Sequence, residues 1–363
     1  MFVNPFKNAF GLDLGDRSIK IVRLKERQIS KGPFRYELAH ASSLALPEGL
    51  IVNGEIVQPE EVIRLLKAHL AQKNVHLDKT PWAVTCLPET KTYIQLINLH
   101  LNEPKEKLTD ADIKDLVPSY LPYELNEIYL DWQEINPNPK SLDRSVLLAA
   151  VPKKIADPYT YLLNIAGIIP LAFEVEALPI ARAIINRQKD LSEQSRGILD
   201  LGATRSSFII YDHGTIQFSL SLPVSGSQFT EQIQKKMSLT PEEAEKTKKE
   251  CGLEEKKCTL ELQQTLESIV DDLAKKILQA VQFYKVHFPE KNPLTGIRLC
   301  GGGANLLGLE NMLSAKLKMK IRKGNPWVNV YPKGEEPMSL EQSVSYTTAV
   351  GLALRAIENP LII

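Results

Sequence analysis

The stretch Gly11-Leu-Asp-Leu-Gly15 returns near mid-chain as Ile198-Leu-Asp-Leu-Gly202. Asp13 and Asp200 stand 187 residues apart (200 − 13), about half of the 363-residue chain. Each copy ends an apolar run, passes through small or polar residues and resumes an apolar run: Asp16-Arg-Ser-Ile-Lys20-Ile-Val22 after the first, Ala203-Thr-Arg-Ser-Ser-Phe-Ile-Ile210 after the second. A strand that reverses sharply needs a residue that tolerates close backbone approach, and glycine supplies it. Main-chain N–H groups gathered in such a reversal form an anion-binding concavity. Gly15, Asp16, Arg17 and Ser18 form the first loop, with Ser18 an added hydroxyl donor and Lys20 a point charge on the return strand. Gly202, Ala203 and Thr204 form the second. A carboxylate closing each incoming strand, Asp13 and Asp200, suits the Mg2+ that accompanies a triphosphate, since magnesium keeps several waters and takes one or two carboxylates. The chemistry implied is nucleotide binding between two related halves. Two ordinary hairpins with Asp-Leu-Gly as turn chemistry are the competing reading, and repetition at half a chain's distance counts against it.

A third element points the same way. Gly301-Gly302-Gly303-Ala304-Asn305 follows the apolar run Ile297–Cys300 and precedes a helical pattern, Leu306, Leu309, Met312, Leu313 and Leu317. Three consecutive glycines cost conformational entropy. They make sense where a bulky ligand meets the backbone or a helix N-terminus faces an anion. A plain strand-to-helix loop with Asn305 as N-cap is the alternative. Gly226 precedes a helical stretch, Thr230–Met237, whose free N–H groups suit a phosphate or ribose, although Ser225 or Ser227 would serve equally as a simple cap. Glu245 and Lys248, three residues apart, share one helical face and by spacing alone form an exposed ion pair. The acid beside the first loop, Asp16, is unfavourable next to a triphosphate unless it points away or meets the metal, with Arg17 available to offset it.

The elements that must hold these residues read as α/β. Strands are expected at Gly11–Leu14, Ile19–Leu24, Arg35–Leu46 and Trp82–Leu87, with a helix opening at Pro59-Glu-Glu61, proline in its first turn and acids at its positive end. Residues 88–150 read as strand (Tyr93–Leu101), helix (Thr109–Tyr120), strand (Ile128–Ile135) and strand (Ser145–Val151). A helix over Asp157–Ala166 ends at Gly167, a strand follows at Leu171–Val175, and a helix at Pro179–Gln188 leads to the second hairpin and the strand Thr215–Leu222. Residues 223–295 are nearly all helical, and the last helix spans Gln342–Glu358.

Asp-x-Gly hairpin, second Asp-x-Gly hairpin and Gly-Gly-Gly, with a lysine seven residues after the first aspartate, resemble the actin and sugar-kinase superfamily. Within it the chain resembles the PilM family of type IV pilus assembly. The resemblance rests on the opening Met1-Phe2-Val-Asn-Pro-Phe6 with Phe10-Gly-Leu-Asp-Leu-Gly, on Pro118-Ser-Tyr-Leu-Pro-Tyr-Glu-Leu-Asn-Glu-Ile-Tyr-Leu-Asp131, and on Asn325-Pro-Trp327 with Ala349-Val-Gly-Leu-Ala-Leu-Arg-Ala356. It covers essentially the whole chain. It implies a duplicated actin-like (ribonuclease H-like) fold around a nucleotide cleft: residues 1–190 as one half with an FtsA-like inserted subdomain at about 88–150, and 195–363 as the other with a helical subdomain at about 223–295. The helix 342–358 would return to the first half. It implies ATP and Mg2+ as cofactors, Glu245 and Lys248 in an adenosine-contacting Ala-Glu-x-x-Lys helix, and Glu176 in the position of a water-polarising hinge glutamate. It implies a cytoplasmic adaptor recruited to the inner membrane, binding the N-terminal tail of a PilN-like single-span protein between the first half and the insertion. Tyr120, Tyr123 and Tyr129 are candidates to line that groove or to form the insertion's core. The pilus inner-membrane complex and motor ATPases follow as further partners, self-association is left open, and turnover is expected to be weak or absent.

Composition narrows the field. Positive and negative residues balance at 44 each, which gives no field to attract nucleic acid or acidic lipid. Hydrophobic residues are 43% of the chain, enough for a substantial core. No apolar run approaches the roughly 18 residues of a membrane span, and the start lacks signal-peptide character. Cys86, Cys251, Cys258 and Cys300 show no metal-like spacing and read as reduced structural thiols. The histidines form no cluster, and no Ser-His-Asp set is visible. The competitors are an FtsA-like filament protein, disfavoured by a short, proline-broken C-terminal stretch, and an actin-fold kinase or chaperone ATPase, for which no catalytic base announces itself.

Overall fold

The computed structural model describes residues 4–72, 81–116, 118–121, 123–254, 259–288 and 291–361. Met1–Val3 of the opening motif and Cys258 lie outside the described residues. In chain order the first elements are β1 (Phe10–Leu14), β2 (Ser18–Lys31), β3 (Phe34–Ala45), the short β4 (Ile51–Val52) and β5 (Glu55–Ile56), α1 (Pro59–Leu70) and β6 (Trp82–Leu87). β7 (Tyr93–His100), α2 (Asp110–Leu116), β8 (Ile128–Ile135) and β9 (Asp143–Pro152) follow, then α3 (Lys153–Ala166), β10 (Ile169–Val175) and α4 (Ala177–Ile184). The remainder comprises β11 (Ser195–Leu201), β12 (Ser206–Asp212), β13 (Thr215–Leu222), α5 (Gly226–Met237), α6 (Pro241–Cys251), α7 (Leu260–His287), β14 (Leu294–Cys300), α8 (Leu309–Leu317), β15 (Ile321–Lys323), α9 (Leu340–Ser343) and α10 (Thr347–Glu358).

The two sheets repeat one pattern. In the first, the order is β10-β6-β1-β2-β3; in the second, β15-β14-β11-β12-β13 has the same arrangement before continuing into β7-β9-β8. Each begins with an antiparallel hairpin and adds a parallel strand on the hairpin's first member, β6 on β1 and β14 on β11. The strands β7, β9 and β8 lie early in the sequence yet extend the later sheet, joined where Phe218 of β13 pairs with Gln95 of β7. β1 is buried at all five of its positions, covered on both faces as parallel pairing requires.

Local chemistry explains the boundaries. α1 carries proline in its first turn, Glu60 and Glu61 at its N-terminus and Val62, Ile63 and Leu66 on its buried face. α3 starts four residues before the expected Asp157, admits Pro158 within its first turns, and ends at Gly167 with φ 84°. α4 stops at Ile184, four residues short of the expected end, because Ile185 turns to extended backbone. Cys86 and Cys300 are free and buried. Cys251 is disulfide-bonded, a departure from the reduced set expected.

α10 joins the two halves. It lies against β1 so closely that a Cβ on Gly11 would collide with the Ala349 carbonyl, and a Cβ on Gly351 would collide with the Pro179 carbonyl of α4. The buried Glu174 carboxylate fixes this crossing. It accepts from Arg182 of α4 at 2.6 and 2.7 Å and from Arg355 of α10 at 2.7 Å.

Candidate functional site

The β1–β2 loop turns on Gly15, whose N–H donates to the Ser18 carbonyl at 3.0 Å; the β11–β12 loop turns on Gly202, whose N–H donates to the Arg205 carbonyl at 2.9 Å. Neither glycine has a positive φ. A Cβ would stand 2.6 Å from the Arg205 oxygen in the second loop, which requires glycine there, and 3.1 Å from the Ser18 oxygen in the first, a tight contact that favours it. The reason is therefore close carbonyl approach and not a left-handed turn. The equivalence also pairs Ser18 with Arg205, a correspondence that superposing the two sequence copies would have exposed.

The loops face each other across a cavity of about 220 Å3. Asp13, Gly15, Ser18, Lys20, Asp200, Gly202, Ala203 and Thr204 all line it, together with Asp16, Arg17, Glu176, Gly301 and Gly302. Lys20 Nζ lies 3.6 Å from Asp13 Oδ2, its cross-strand partner. Residues of the C-terminal region that sequence reading did not single out, Val344, Ser345, Thr347 and Thr348, complete the wall.

Asp16 is turned away from the open space into a bridge between the halves. Its Oδ1 accepts from the Gly54 N–H at 3.0 Å and from Arg205 Nη1 at 2.9 Å, and its Oδ2 accepts from the Thr204 hydroxyl at 2.6 Å. Arg17 does not neutralise it, pairing instead with Glu48 at 3.0 Å. Arg205 also approaches Glu176 Oε2, at 3.8 Å.

Around that arginine the cleft is rich in carboxylates. One ligand atom each from Asp13, Cys86 and Glu176 lies within 4.8 Å of the others. Burial first, and then the charges of Asp200, Asp13 and Glu89, push the Glu176 carboxyl up to about 8 despite Arg205. The pair with Arg205 is long, and the guanidinium is more closely engaged by Asp16, so burial prevails. Glu89, 6% exposed, is pushed up to about 7 by burial, and its Oε2 has no hydrogen-bond partner. Burial likewise raises Asp200. Cys86 stays a thiol, held far above its ordinary value by burial and the neighbouring acids. The carboxylates that do line the cleft, Asp13, Asp200 and Glu176, fit a hard divalent cation.

The glycine triplet divides its labour. Gly301, at φ 76°, donates its N–H to the Val344 carbonyl at 2.9 Å, and a Cβ there would stand 2.5 Å from the Leu201 oxygen. Gly303 packs on the Leu201 side chain, whereas a Cβ on Gly302 would meet nothing within 4 Å and would project into free space. Asn305 is not a helix cap: its Nδ2 donates to the Glu341 carbonyl at 2.7 Å, and α8 begins only at Leu309 after Gly308. At the start of α5 the N–H groups are spent within the protein. Gly226 donates to the Gly202 carbonyl at 2.9 Å and Ser227 to that of Ala203 at 2.7 Å. The helix thus braces the second loop. Glu245 and Lys248 pair at 2.6 Å, and Lys248 Nζ also donates to the Gly226 carbonyl at 3.0 Å, so this pair clamps α6 to α5 beside the loop. Gly226, Glu245, Lys248, Gly303 and Asn305 adjoin the cleft without lining it.

Comparison with known proteins agrees with this geometry. A solved PilM–PilN type IV pilus biogenesis complex contains a chain with TM-score 0.81 and 23% identity, the match covering 98% of this chain and all of that one. Ethanolamine utilization protein EutJ from Carboxydothermus hydrogenoformans matches at TM-score 0.56 and 13% identity over 95% of this chain and 89% of that one. MreB5 of Spiroplasma citri bound to AMPPNP matches at TM-score 0.54 and 12% identity over 95% of each. The halves duplicated about a shared cleft are thus those of an actin-like fold, and, since residues 11–357 match the family described as type IV pilus assembly protein PilM, the chain belongs to that family.

Proposed function

We propose that this protein is a nucleotide-loaded adaptor of type IV pilus assembly. It takes Mg-ATP between the two hairpins and holds the N-terminal cytoplasmic tail of a PilN-like single-span inner-membrane protein in a separate groove. Asp13 and Asp200 would hold the magnesium. Gly15, Ser18, Lys20, Gly202, Ala203, Thr204 and Gly302 would contact phosphates. Gly226, Glu245 and Lys248 would frame the adenosine side. Glu176 is the candidate to orient water for a slow hydrolysis.

The groove supports the peptide half of this reading. It is an apolar space of about 370 Å3 between β8–β9 and the α3–β10–α4 face, walled by Leu130, Trp132, Leu147, Val175 and Leu178. Tyr129 lines it and is 51% exposed, whereas Tyr120 donates its hydroxyl to the Asn98 carbonyl and, like Tyr123, stands outside it. A relative solved with PilN supports the choice of partner. No helix among the described residues is long and apolar enough to cross a membrane, so the proposal places the chain at the membrane through its partner.

The observation that carries the reading is adjacency: Val175 lines the groove and Glu176 lines the cleft. A ligand in either space acts on the same turn of chain, so their affinities are coupled, and coupling is reciprocal. The test is fluorescence polarisation of a labelled N-terminal PilN peptide titrated with the protein, with and without Mg-ATP. Saturable binding that shifts with nucleotide is expected. No binding in either condition would refute the adaptor assignment, and equal affinity in both would refute the coupling.

A further inference from the structure

The cleft lies at the N-terminal end of α4. At the helix's C-terminal end a second and larger cavity opens, about 860 Å3. Its origin is the brevity of α4. The helix lies on the Ile198 face of the second sheet, where Ile180, Ile184 and Ile185 pack against Ile198 and Ile209. At 8 residues it spans about 12 Å. Arg298 sits in register with Ile198, and Arg196 precedes Ile198 by two, so both arginines project from that same face where the helix no longer covers it. Burial, and then the charge of Arg298, holds Arg196 below the usual arginine range.

The lining is unbalanced in charge although the chain is neutral overall. Five cations border the cavity, Lys189, Arg196, Arg298, Lys323 and Lys333, against one carboxylate, Glu336. Glu336 is already engaged, accepting from Asn325 Nδ2 at 2.9 Å and from the Gly334 N–H at 2.7 Å. Lys323 has a carboxylate only at 3.9 Å, in Glu341. Among the described residues, Lys189, Arg298 and Lys333 form no salt bridge. Between the cations stand apolar walls, from Ile185 and Leu191 on one side to Val328, Met338 and Leu340 on another, with Tyr331 beside them.

We propose that this cavity is a docking site for an acidic, amphipathic segment of a partner protein. Its carboxylates would meet the Arg196–Arg298 pair and the flanking lysines, and its apolar stripe would meet Ile185, Leu191 and Leu340. Charge complementarity selects the occupant: guanidinium clusters recognise carboxylates in a fixed geometry, and an uncompensated cationic rim steers an acidic partner in. A small anion would use the arginine pair and leave the apolar walls wet. Nucleic acid would require a continuous cationic track. The site is distinct from the apolar groove proposed for the membrane-protein tail, so it stands or falls independently.

The probe is a fluorescein-labelled amphipathic peptide of about 14 residues, roughly four helical turns. Leucine occupies the i, i+3, i+4 and i+7 positions and glutamate the rest, and a lysine-for-glutamate peptide serves as control. Fluorescence anisotropy should show saturable, salt-sensitive binding of the acidic peptide alone. The Arg196→Glu/Arg298→Glu double variant should weaken it by about tenfold or more, while Mg-nucleotide binding and the thermal melt stay at wild-type values. Absence of saturable binding, equal binding of the lysine control, or full affinity in the double variant would overturn the proposal. Stoichiometric displacement by inorganic pyrophosphate would overturn it in favour of a small-anion site. Self-association by sedimentation that the double variant abolishes would overturn it in favour of a second copy of the chain.

Discussion

Replacing Glu176 by glutamine should alter the pH dependence of stability in a calculable way. Below its ordinary value of 4.5 the carboxyl carries its proton in both folded and unfolded chains and costs nothing. Above that, the unfolded chain ionises while the folded one keeps its proton up to about 8. A raised folded value therefore contributes stability at low pH that is lost as pH rises, at up to about 1.4 kcal/mol per unit. Between pH 5 and pH 9 the loss comes to roughly 4 kcal/mol, since most of the interval from 4.5 to about 8 falls inside that window. The side chain is only 12% exposed, so solvent screening removes little of it. Glutamine does not titrate. The stability of Glu176→Gln relative to wild type should therefore improve by roughly 4 kcal/mol from pH 5 to pH 9, and the variant's own profile should keep the slope that Glu89 contributes up to about 7. Urea unfolding at pH 5, 7 and 9, in EDTA and without nucleotide, followed by the fluorescence of the three tryptophans, Trp82, Trp132 and Trp327, measures it. Parallel pH profiles for the two proteins would refute the reasoning.

The proposed Mg-ATP binding would require ionised cleft carboxylates, so it should tighten from pH 6 to pH 9 and release protons at neutral pH. Calorimetry in buffers of different ionisation heat reads the release, and identical heats would contradict it. Arg205→Met leaves Asp16 and Glu176 without their cation and should cost about 3–5 kcal/mol of stability; adding Asp16→Asn should restore part of that, and strictly additive losses in urea melts would deny the bridge. Gly301→Ala, forced at φ 76° against the Leu201 carbonyl, should destabilise by on the order of 1–3 kcal/mol. Gly302→Ala should leave the melt unchanged within about 0.5 kcal/mol while weakening nucleotide binding, because its methyl enters only the cleft. Trp132→Ala and Leu178→Arg should abolish binding of the PilN peptide with nucleotide affinity retained; undiminished peptide binding in both variants would place the peptide elsewhere.

The parts of this molecule that were legible in the sequence are those written locally. Both hairpins, the strand Thr215–Leu222 and the strand–helix–strand–strand order of residues 93–152 follow from apolar alternation, turn residues and caps, and the structure has them within a few residues. What was not legible depends on contacts between distant segments. Nothing near Gln95 announces that it pairs with Phe218 and so attaches β7, β9 and β8 to the later sheet. Arg205 looks like an ordinary solvated arginine after a loop, and only its place across from Asp16, 189 residues away, makes it a buried bridge. Glu89 follows a proline at a strand end and reads as exposed, yet it is buried behind Glu176. Gly226 was expected to offer free N–H groups, but their acceptors come from the second loop, which a single helix-start pattern does not reveal.

The adjacency of groove and cleft gains force from what surrounds it. Glu174 holds α4 and α10 through two arginines, Val175 faces the groove, Glu176 opens α4, and Leu178 faces the groove again. Arg355 of α10, a partner of Glu174, also lines the groove. On the proposed function, a peptide seated there would touch both sides of the α4–α10 crossing, while a magnesium-bound nucleotide would act on Glu176, the residue that precedes α4. Metal binding favours the ionised form of Glu176, and a negative charge at a helix N-terminus is favourable by a few tenths to about 1 kcal/mol. Loading the cleft would therefore firm the start of the helix whose side the proposed peptide would contact. The buried Glu174 pair resists any partial rearrangement, because separating it would strand charge in the core. On the proposed coupling the crossing would move as a unit, and a charge change at Glu176 would reach the groove as a displacement of Val175 and Leu178.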